Sequence, residues 1–240
     1  MEKKDLSKIK ILNKIKQFEK TGEACATDFL DPLDVIDNHE IYKHYEYILY
    51  GGYEEAERKV LVIGTENVEK AKEFICIFEI TSNKPLEHRA ILGSILGLGI
   101  KREVVGDIII QDEKADIFVL NDMAKFVENN FLKVGNEKIK IKKITSEELL
   151  QIEDKTSIIT TTVASLRIDA AISACFGVSR ELASQLVLNE KVKLNYKPIT
   201  NVSKQIHEDD LISVRGYGRF VINKVIGETR KGRIRVELKV

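Results

Sequence analysis

No long apolar run occurs in this 240-residue chain. The longest stretches without a charge, Ala90 to Ile100 and Thr156 to Leu166, are eleven residues each. A membrane-spanning helix needs roughly 18 or more, so no membrane partner is expected. The first residues, Met1-Glu2-Lys3-Lys4-Asp5, lead into a lysine-dotted amphipathic segment rather than an apolar core with a cleavage site. A secretory signal is therefore not expected, and a cytoplasmic location is. Cysteine is scarce: Cys25, Cys76 and Cys175 are too few and too scattered for a disulfide framework or a zinc site, and they read as buried free thiols. With three prolines, no Gly- or Pro-rich tract, 43% hydrophobic and 32% charged residues, the composition is that of a globular protein.

The marks of common catalytic chemistry are missing too. No Gly-Lys-Ser/Thr sequence closes a phosphate-binding loop, and Gly97-Leu98-Gly99 lacks the rest of a dinucleotide fingerprint. His39, His44, His88 and His207 include no His-Glu-x-x-His pattern. Asp31, Asp34 and Asp37 fall at i, i+3 and i+6, a spacing that could line one helix face for a metal, yet a capped, solvated helix end accounts for them. No cofactor, metal, small-molecule substrate or catalytic residue is expected, and the chain is read as a non-enzyme.

What is present is a charge asymmetry hidden by a net charge of zero. Residues 1–157 carry 24 Lys/Arg against 30 Asp/Glu, and residues 158–240 carry 14 against 8. A basic module on an acidic body suggests that the module meets a polyanion.

Periodicity organises the body into two parts. Leu6, Ile9, Leu12, Ile15 and Phe18 recur at helical spacing, which predicts a surface helix buried along that stripe. Asp31-Pro32 reads as a helix cap followed by a first-turn proline, with the helix running to about Ile41. Tyr47 to Tyr50 and Lys59 to Ile63 read as strands joined through Gly51-Gly52. From residue 74 the order becomes regular. Strand Phe74 to Ile80, helix Leu86 to Leu98, strands Asp107 to Ile110 and Asp116 to Leu120, helix Asp122 to Asn130 and strand Ile139 to Ile144 spell the split βαβ, or ferredoxin-like, pattern. That fold serves many RNA-recognition domains and many proteins that never touch RNA. Its base-stacking aromatic signature is not visible, since Phe118 stands alone on its strand. In the loop Leu98 to Asp107, Gly99 can end the helix in a left-handed conformation, and Lys101 and Arg102 either complement the helix carboxy terminus or contact phosphate.

The segment Glu147 to Thr162 mixes acids, Ser and Thr without apolar periodicity after Ile152, which places a linker near 150–162. Beyond it, Ile168, Ala171, Ile172, Cys175 and Phe176 form the stripe of a helix ended by Gly177. Ser179 caps a second helix with Leu182, Leu186 and Val187 facing inward. Arg180 opens that helix, where unpaired amides already favour an anion and a guanidinium can fork onto phosphate. Lys191-Val192-Lys193-Leu194-Asn195 reads as a short strand with lysines on its open face, followed by strands over Leu211 to Val214, Arg219 to Ile226 and Arg233 to Val240.

Ser165-Leu166-Arg167-Ile168-Asp169, Val178-Ser179-Arg180, Lys191 to Asn195 and Asp210 to Arg219 resemble the RNA-binding module first named for ribosomal small-subunit protein S-four. One departure is Glu190, where that family usually has Gly; Asn189 is the nearby candidate for a left-handed residue. Upstream, Thr27-Asp28-Phe29-Leu30-Asp31-Pro32, Gly51-Gly52-Tyr53 with Glu57-Arg58, His88-Arg89, and Leu98 to Asp107 resemble the bacterial YlmH family. The resemblance implies an α+β protein of three units. These are a small amino-terminal α+β unit over 1–72, an RRM-like (ferredoxin-like) middle domain over 73–150 and, after a linker over 151–162, an S-four-type RNA-binding module with a terminal β-hairpin over 163–240. It also implies binding of rRNA and tRNA on the large ribosomal subunit, in the rescue of stalled peptidyl-tRNA complexes during ribosome-associated quality control. The RNA-binding candidates are Arg167, Ser179, Arg180, Lys191, Lys193, Asn195, Arg215 and Arg219, with Lys101 and Arg102. Two other readings compete: a pseudouridine synthase, for which no catalytic Asp motif is found, and a protein-interaction adaptor localised by its basic tail.

Overall fold

The computed structural model describes residues 3–151 and 157–240. The chain divides into two compact units, Met1–Ile152 and Glu153–Val240.

The first unit opens with α1 (Lys3–Thr21), β1 (Cys25–Ala26), α2 (Pro32–Tyr42), β2 (Tyr47–Tyr50) and β3 (Val60–Ile63), followed by the short α3 (Val68–Lys72). The strands form an antiparallel sheet in the order β1-β3-β2. Ile11 and Ile15 of α1 and Tyr42 of α2 pack on Leu61 and Ile63 of the central strand. The expected α1 stripe is corrected here: Leu6, Ile9 and Leu12 are exposed, and the buried row is Ser7, Ile11 and Ile15. The helix carries two interleaved apolar series, and the Ser7 hydroxyl, which donates to Asp34 at 2.9 Å, helps settle which one turns inward.

Next come β4 (Ile75–Thr81), α4 (His88–Leu96), β5 (Val105–Gln111), β6 (Lys114–Leu120), α5 (Asn121–Asn130), the small hairpin β7 (Lys133–Val134) and β8 (Glu137–Lys138), and β9 (Lys140–Ile144). Their sheet is antiparallel in the order β5-β6-β4-β9, the ferredoxin-like arrangement. Cys76, Phe78 and Ile80 of β4 and Ile117 and Val119 of β6 face Ile91 and Ile95 of α4 and Val127 of α5. The alternate residues Ile75, Ile77, Phe118 and Ile144 are buried as well, in a second core with Phe29, Val60 and Val62. The four-stranded sheet is thus covered on one face by its own helices and over half of the other by the amino-terminal layer, while Lys114, Lys140 and Lys142, farther along that second face, are exposed.

The second unit holds β10 (Ile158–Val163), α6 (Ile168–Phe176), α7 (Arg180–Leu188), β11 (Val192–Leu194), β12 (Lys197–Pro198), β13 (Leu211–Val214), β14 (Gly218–Glu228) and β15 (Ile234–Lys239). The strands form one sheet, β10-β15-β14-β13-β11-β12, whose inner residues Val192, Ile212, Phe220, Ile222, Val236 and Leu238 pack on α6 and α7. Part of the expected linker, 152–156, lies outside the described residues. Its last part is a strand: β10 pairs with β15 from Ile158↔Lys239 to Val163↔Ile234. Ile-Ile-Thr-Thr-Thr-Val is β-branched throughout and suits a pleated edge, a signal masked by its lack of apolar alternation. In α7 the buried residues are Ala183, Leu186 and Val187, while Leu182, expected inward, is exposed. The cysteines are free; Cys25 and Cys76 are buried and Cys175 is half-buried. Among the described residues, no helix is long and apolar enough to cross a membrane.

Candidate nucleic-acid interface

Helix α6 begins against the segment Lys204 to Ile206: the Ile168 amide donates to Lys204 O at 3.0 Å, and the Ile206 amide donates to Leu166 O at 2.9 Å. This places Arg167 at the helix N-cap position and turns Asp169 inward, where it is only 3% exposed. A lone carboxylate there would be costly. Two arginines resolve it: Arg167 donates through Nε and Nη2 at 3.1 and 3.2 Å, and Arg180, at the start of α7, donates through Nη2 at 2.6 Å. Burial pushes the Asp169 carboxyl up, but the bonds and charges of Arg180 and Arg167 outweigh it and hold the group below the usual carboxylate range. The side chains of Arg167 and Arg180 remain 33% and 48% exposed. The arrangement therefore fixes two guanidinium groups at the surface with donors to spare.

Beside Arg180 runs a groove of about 350 Å³ lined by Thr161–Ala164, the α6 residues Ala170, Ser173 and Ala174, and Arg233. Arg233 is held there by Thr162, donating to its hydroxyl at 3.0 Å and its carbonyl at 2.7 Å. The sequence reading missed Arg233 as a site residue; only the unforeseen pairing of β10 with β15 brings it next to α6.

The other basic candidates form a second group. Lys193, Ser213 and Arg219 are register partners across β11, β13 and β14, so they line one row on the sheet face opposite the core. Lys191 and Arg215 flank that row, joined by a 2.9 Å bond from the Arg215 amide to Lys191 O. Ser179 and Asn195 serve the fold directly. Ser179 Oγ accepts from the Leu182 amide at 3.1 Å. Asn195 sits at φ 48° in the β11–β12 turn, donates to Asp210 at 2.7 Å and accepts from the Leu211 amide at 2.9 Å.

Glu190 occupies the left-handed position itself, at φ 55°, and Asn189 does not. The Lys191 amide donates to Leu186 O at 3.0 Å and the Glu190 amide to Val187 O at 3.1 Å, the two bonds of a Schellman helix ending. Glutamate thus stands where glycine would be relaxed.

In the first unit, Lys101 is exposed, whereas the Arg102 guanidinium donates to the carbonyls of Val105 and Gly106. Arg102 ties its own loop down. Next to it Arg58, almost wholly buried, donates to Phe29 O and Val105 O, both at 3.1 Å, and pairs with Asp31. Burial, then the neighbouring Arg102 charge, push Arg58 down to about 10. Asp107 accepts from the Tyr53 hydroxyl at 3.0 Å and from the Glu57 and Arg58 amides at 2.6 and 3.2 Å. Asp31, expected as a helix cap, keeps the N-cap position but gives its carboxylate to Arg58.

Residues 5–68 match the YlmH amino-terminal model, 70–148 the YlmH RNA-binding domain, and 166–212 the S4 domain. Ribosome-associated protein quality control protein P2 of Bacillus subtilis (strain 168) is 31% identical over 226 residues, covering 88% of this chain and 84% of that protein. The chain belongs to the YlmH family. A solved structure titled cell division protein ylmH from Streptococcus pneumoniae shares the fold over 63% of this chain and 97% of that one, with a TM-score of 0.50 and 20% identity.

All the YlmH-like motifs upstream of the S4 domain except His88-Arg89, which is exposed at the start of α4, have a structural reason. Asp31, Gly52, Tyr53, Arg58, Gly106 and Asp107 all meet where the amino-terminal layer lies on the ferredoxin-like sheet. Gly52 lies against the Phe118 ring with φ 102°, and Gly106 lies under Phe29. The Tyr53 and Phe118 rings pack with centroids 5.2 Å apart. Phe118 is fully buried. The part of the sheet face around Phe118, where RRM-type domains stack bases, is therefore interior in this YlmH-family chain.

Proposed function

We propose that this protein is a non-catalytic RNA-binding factor that engages rRNA and tRNA on the large ribosomal subunit in ribosome-associated quality control, chiefly through Arg167, Arg180, Lys191, Lys193, Arg215 and Arg219. The observation that carries the reading is the buried carboxylate of Asp169 holding two surface arginines. Such preorganised forks suit phosphate oxygens. The basic row across β11, β13 and β14, the S4 and YlmH RNA-binding domain matches, and the quality-control name of the Bacillus relative support it. Because the Phe118 part of the RRM-like sheet face is covered, the middle domain contributes through its edges, its loops and the exposed lysines Lys114, Lys140 and Lys142 rather than by base stacking.

The test is co-sedimentation of the full chain with purified large subunits, small subunits and neither, across a salt titration. Retention on large subunits that weakens steeply with salt is expected. Equal recovery with both subunits, or binding indifferent to salt, would overturn the proposal, and pseudouridine formation on incubated rRNA would overturn the non-catalytic part.

A further inference from the structure

We propose that Tyr217 is a stacking platform for one unpaired nucleobase of the bound RNA, an inference that rests on the RNA-binding reading above. The residue sits in the turn Val214-Arg215-Gly216-Tyr217-Gly218 between β13 and β14. Its amide donates to Val214 O at 3.0 Å, and Gly216 and Gly218 on either side have φ values of 88° and 125°. Other residues rarely adopt these conformations, so the turn presents its tyrosine in a defined way.

Among the described residues the ring has one aromatic neighbour. It packs on Phe176 with centroids 5.6 Å apart and planes tilted by 47°, and Phe176 stands edge-on to the buried Phe220 at 5.6 Å and 75°. Three rings thus run from the core to the surface, where Tyr217 remains 43% exposed. A large aromatic held rigid beneath and open above loses little entropy when a planar partner stacks on it. The surroundings choose that partner. Arg215 precedes the turn and Arg219 follows it, Lys193 shares a register row with Arg219, and Lys191 is tied to the Arg215 amide. An aromatic flanked in its own turn by arginines matches a nucleotide, whose base stacks while its phosphates meet the cations. One protruding ring reaches a base face only where the duplex is interrupted, since paired bases cover one another. Bulged or looped nucleotides are thereby favoured over continuous helix.

The probe is an RNA hairpin carrying a single bulged 2-aminopurine, compared at low salt with its fully paired counterpart, using the full chain. Wild type and Tyr217→Phe should bind the bulged hairpin about tenfold more tightly than the paired one and quench its fluorescence, in line with the worth of one base–aromatic stack. Tyr217→Leu, which keeps apolar cover over Phe176, should bind both hairpins as wild type binds the paired one, with no quench. Equal wild-type affinity for the two hairpins, or a leucine variant that keeps the preference, overturns the platform and leaves the phosphate-binding reading intact. Failure of wild type to bind either hairpin overturns the RNA-binding reading and the platform with it. Should the leucine variant fail to fold, the wild-type preference and quench decide.

Discussion

Arg180 reaches back from the start of α7 to the buried carboxylate of Asp169 in the first turn of α6, at 2.6 Å. Together with Arg167 on the same carboxylate, it staples the two helix starts to one another. The surface arginines expected to contact RNA are therefore also the counter-charges of a buried group.

Arg167→Ala with Arg180→Ala should consequently cost both binding and stability. An orphaned Asp169 is expected to lower the unfolding free energy by about 2 kcal/mol, and RNA affinity should fall about a hundredfold or more. Adding Asp169→Asn removes the stranded charge, so the triple variant should recover much of the melt while binding stays lost. Recovery of binding with the melt would mean that the arginines act only on folding. Because the Asp169 carboxyl is held below its ordinary value, its contribution is present above the unfolded pKa and fades as pH falls through the lowered one.

Glu190→Gly is expected to stabilise the second unit by roughly 1 kcal/mol, the cost of a non-glycine residue in a left-handed helix ending. It also removes a carboxylate next to Lys191, so affinity for RNA should rise at low salt. A melt that drops would show that the Glu190 side chain supports the turn in some further way.

Gly106→Ala tests the covering of the ferredoxin-like sheet. A Cβ there would stand 2.7 and 2.8 Å from the Phe29 ring and 3.0 Å from Phe118 Cβ, and both neighbours are buried. Destabilisation of about 1–3 kcal/mol is expected from overpacking, read by chemical denaturation, and Phe29→Leu should relieve part of it. An unaffected midpoint would argue that the two layers separate easily.

Asp116 sets a pH dependence of the opposite sign from Asp169. It is fully buried on β6, accepts from the Leu150 amide at 2.7 Å through one oxygen, and has no partner on the other among the described residues. Burial first, and then Glu79 across the strand pair, push its carboxyl up to about 6. A raised folded pKa means that the contribution is complete below the unfolded value and is lost as pH rises through about 6. Asp116→Asn should flatten that slope and add up to about 3 kcal/mol of stability at pH 7. Calorimetry at pH 4 and pH 7 checks it; a variant weaker than wild type at both would assign the carboxylate a structural role that outweighs its charge.

Much of this was legible in the chain. The strand and helix order of the ferredoxin-like part follows from hydrophobic period, and even its double covering is hinted at by the uninterrupted apolar run Ile75 to Phe78, which suits a strand buried on both faces. What does the covering was not legible, because Phe29, Tyr53 and Val62 are distant in sequence and a strand pattern carries no address for its partner layer. The helical pair of the S4 domain was found from its stripe and its caps, whereas the meeting of Arg167 and Arg180 on one carboxylate was not. In the sequence Asp169 stands out only as part of a motif, because an aspartate in a first helical turn looks like a dipole partner until burial is known.

By itself, then, the sequence determined the order of the main elements in the ferredoxin-like part, the basic character of the last third, and the family motifs, since these depend on local spacing and composition. The tertiary structure alone decided that Arg102 and Asn195 spend their donors internally, that Arg233 joins Arg180 at one groove, that Glu190 takes the left-handed position, and that Phe118 is sealed from RNA. Each of those outcomes depends on which distant backbone or side chain arrives to satisfy or bury a group, and that choice is made by packing the whole unit.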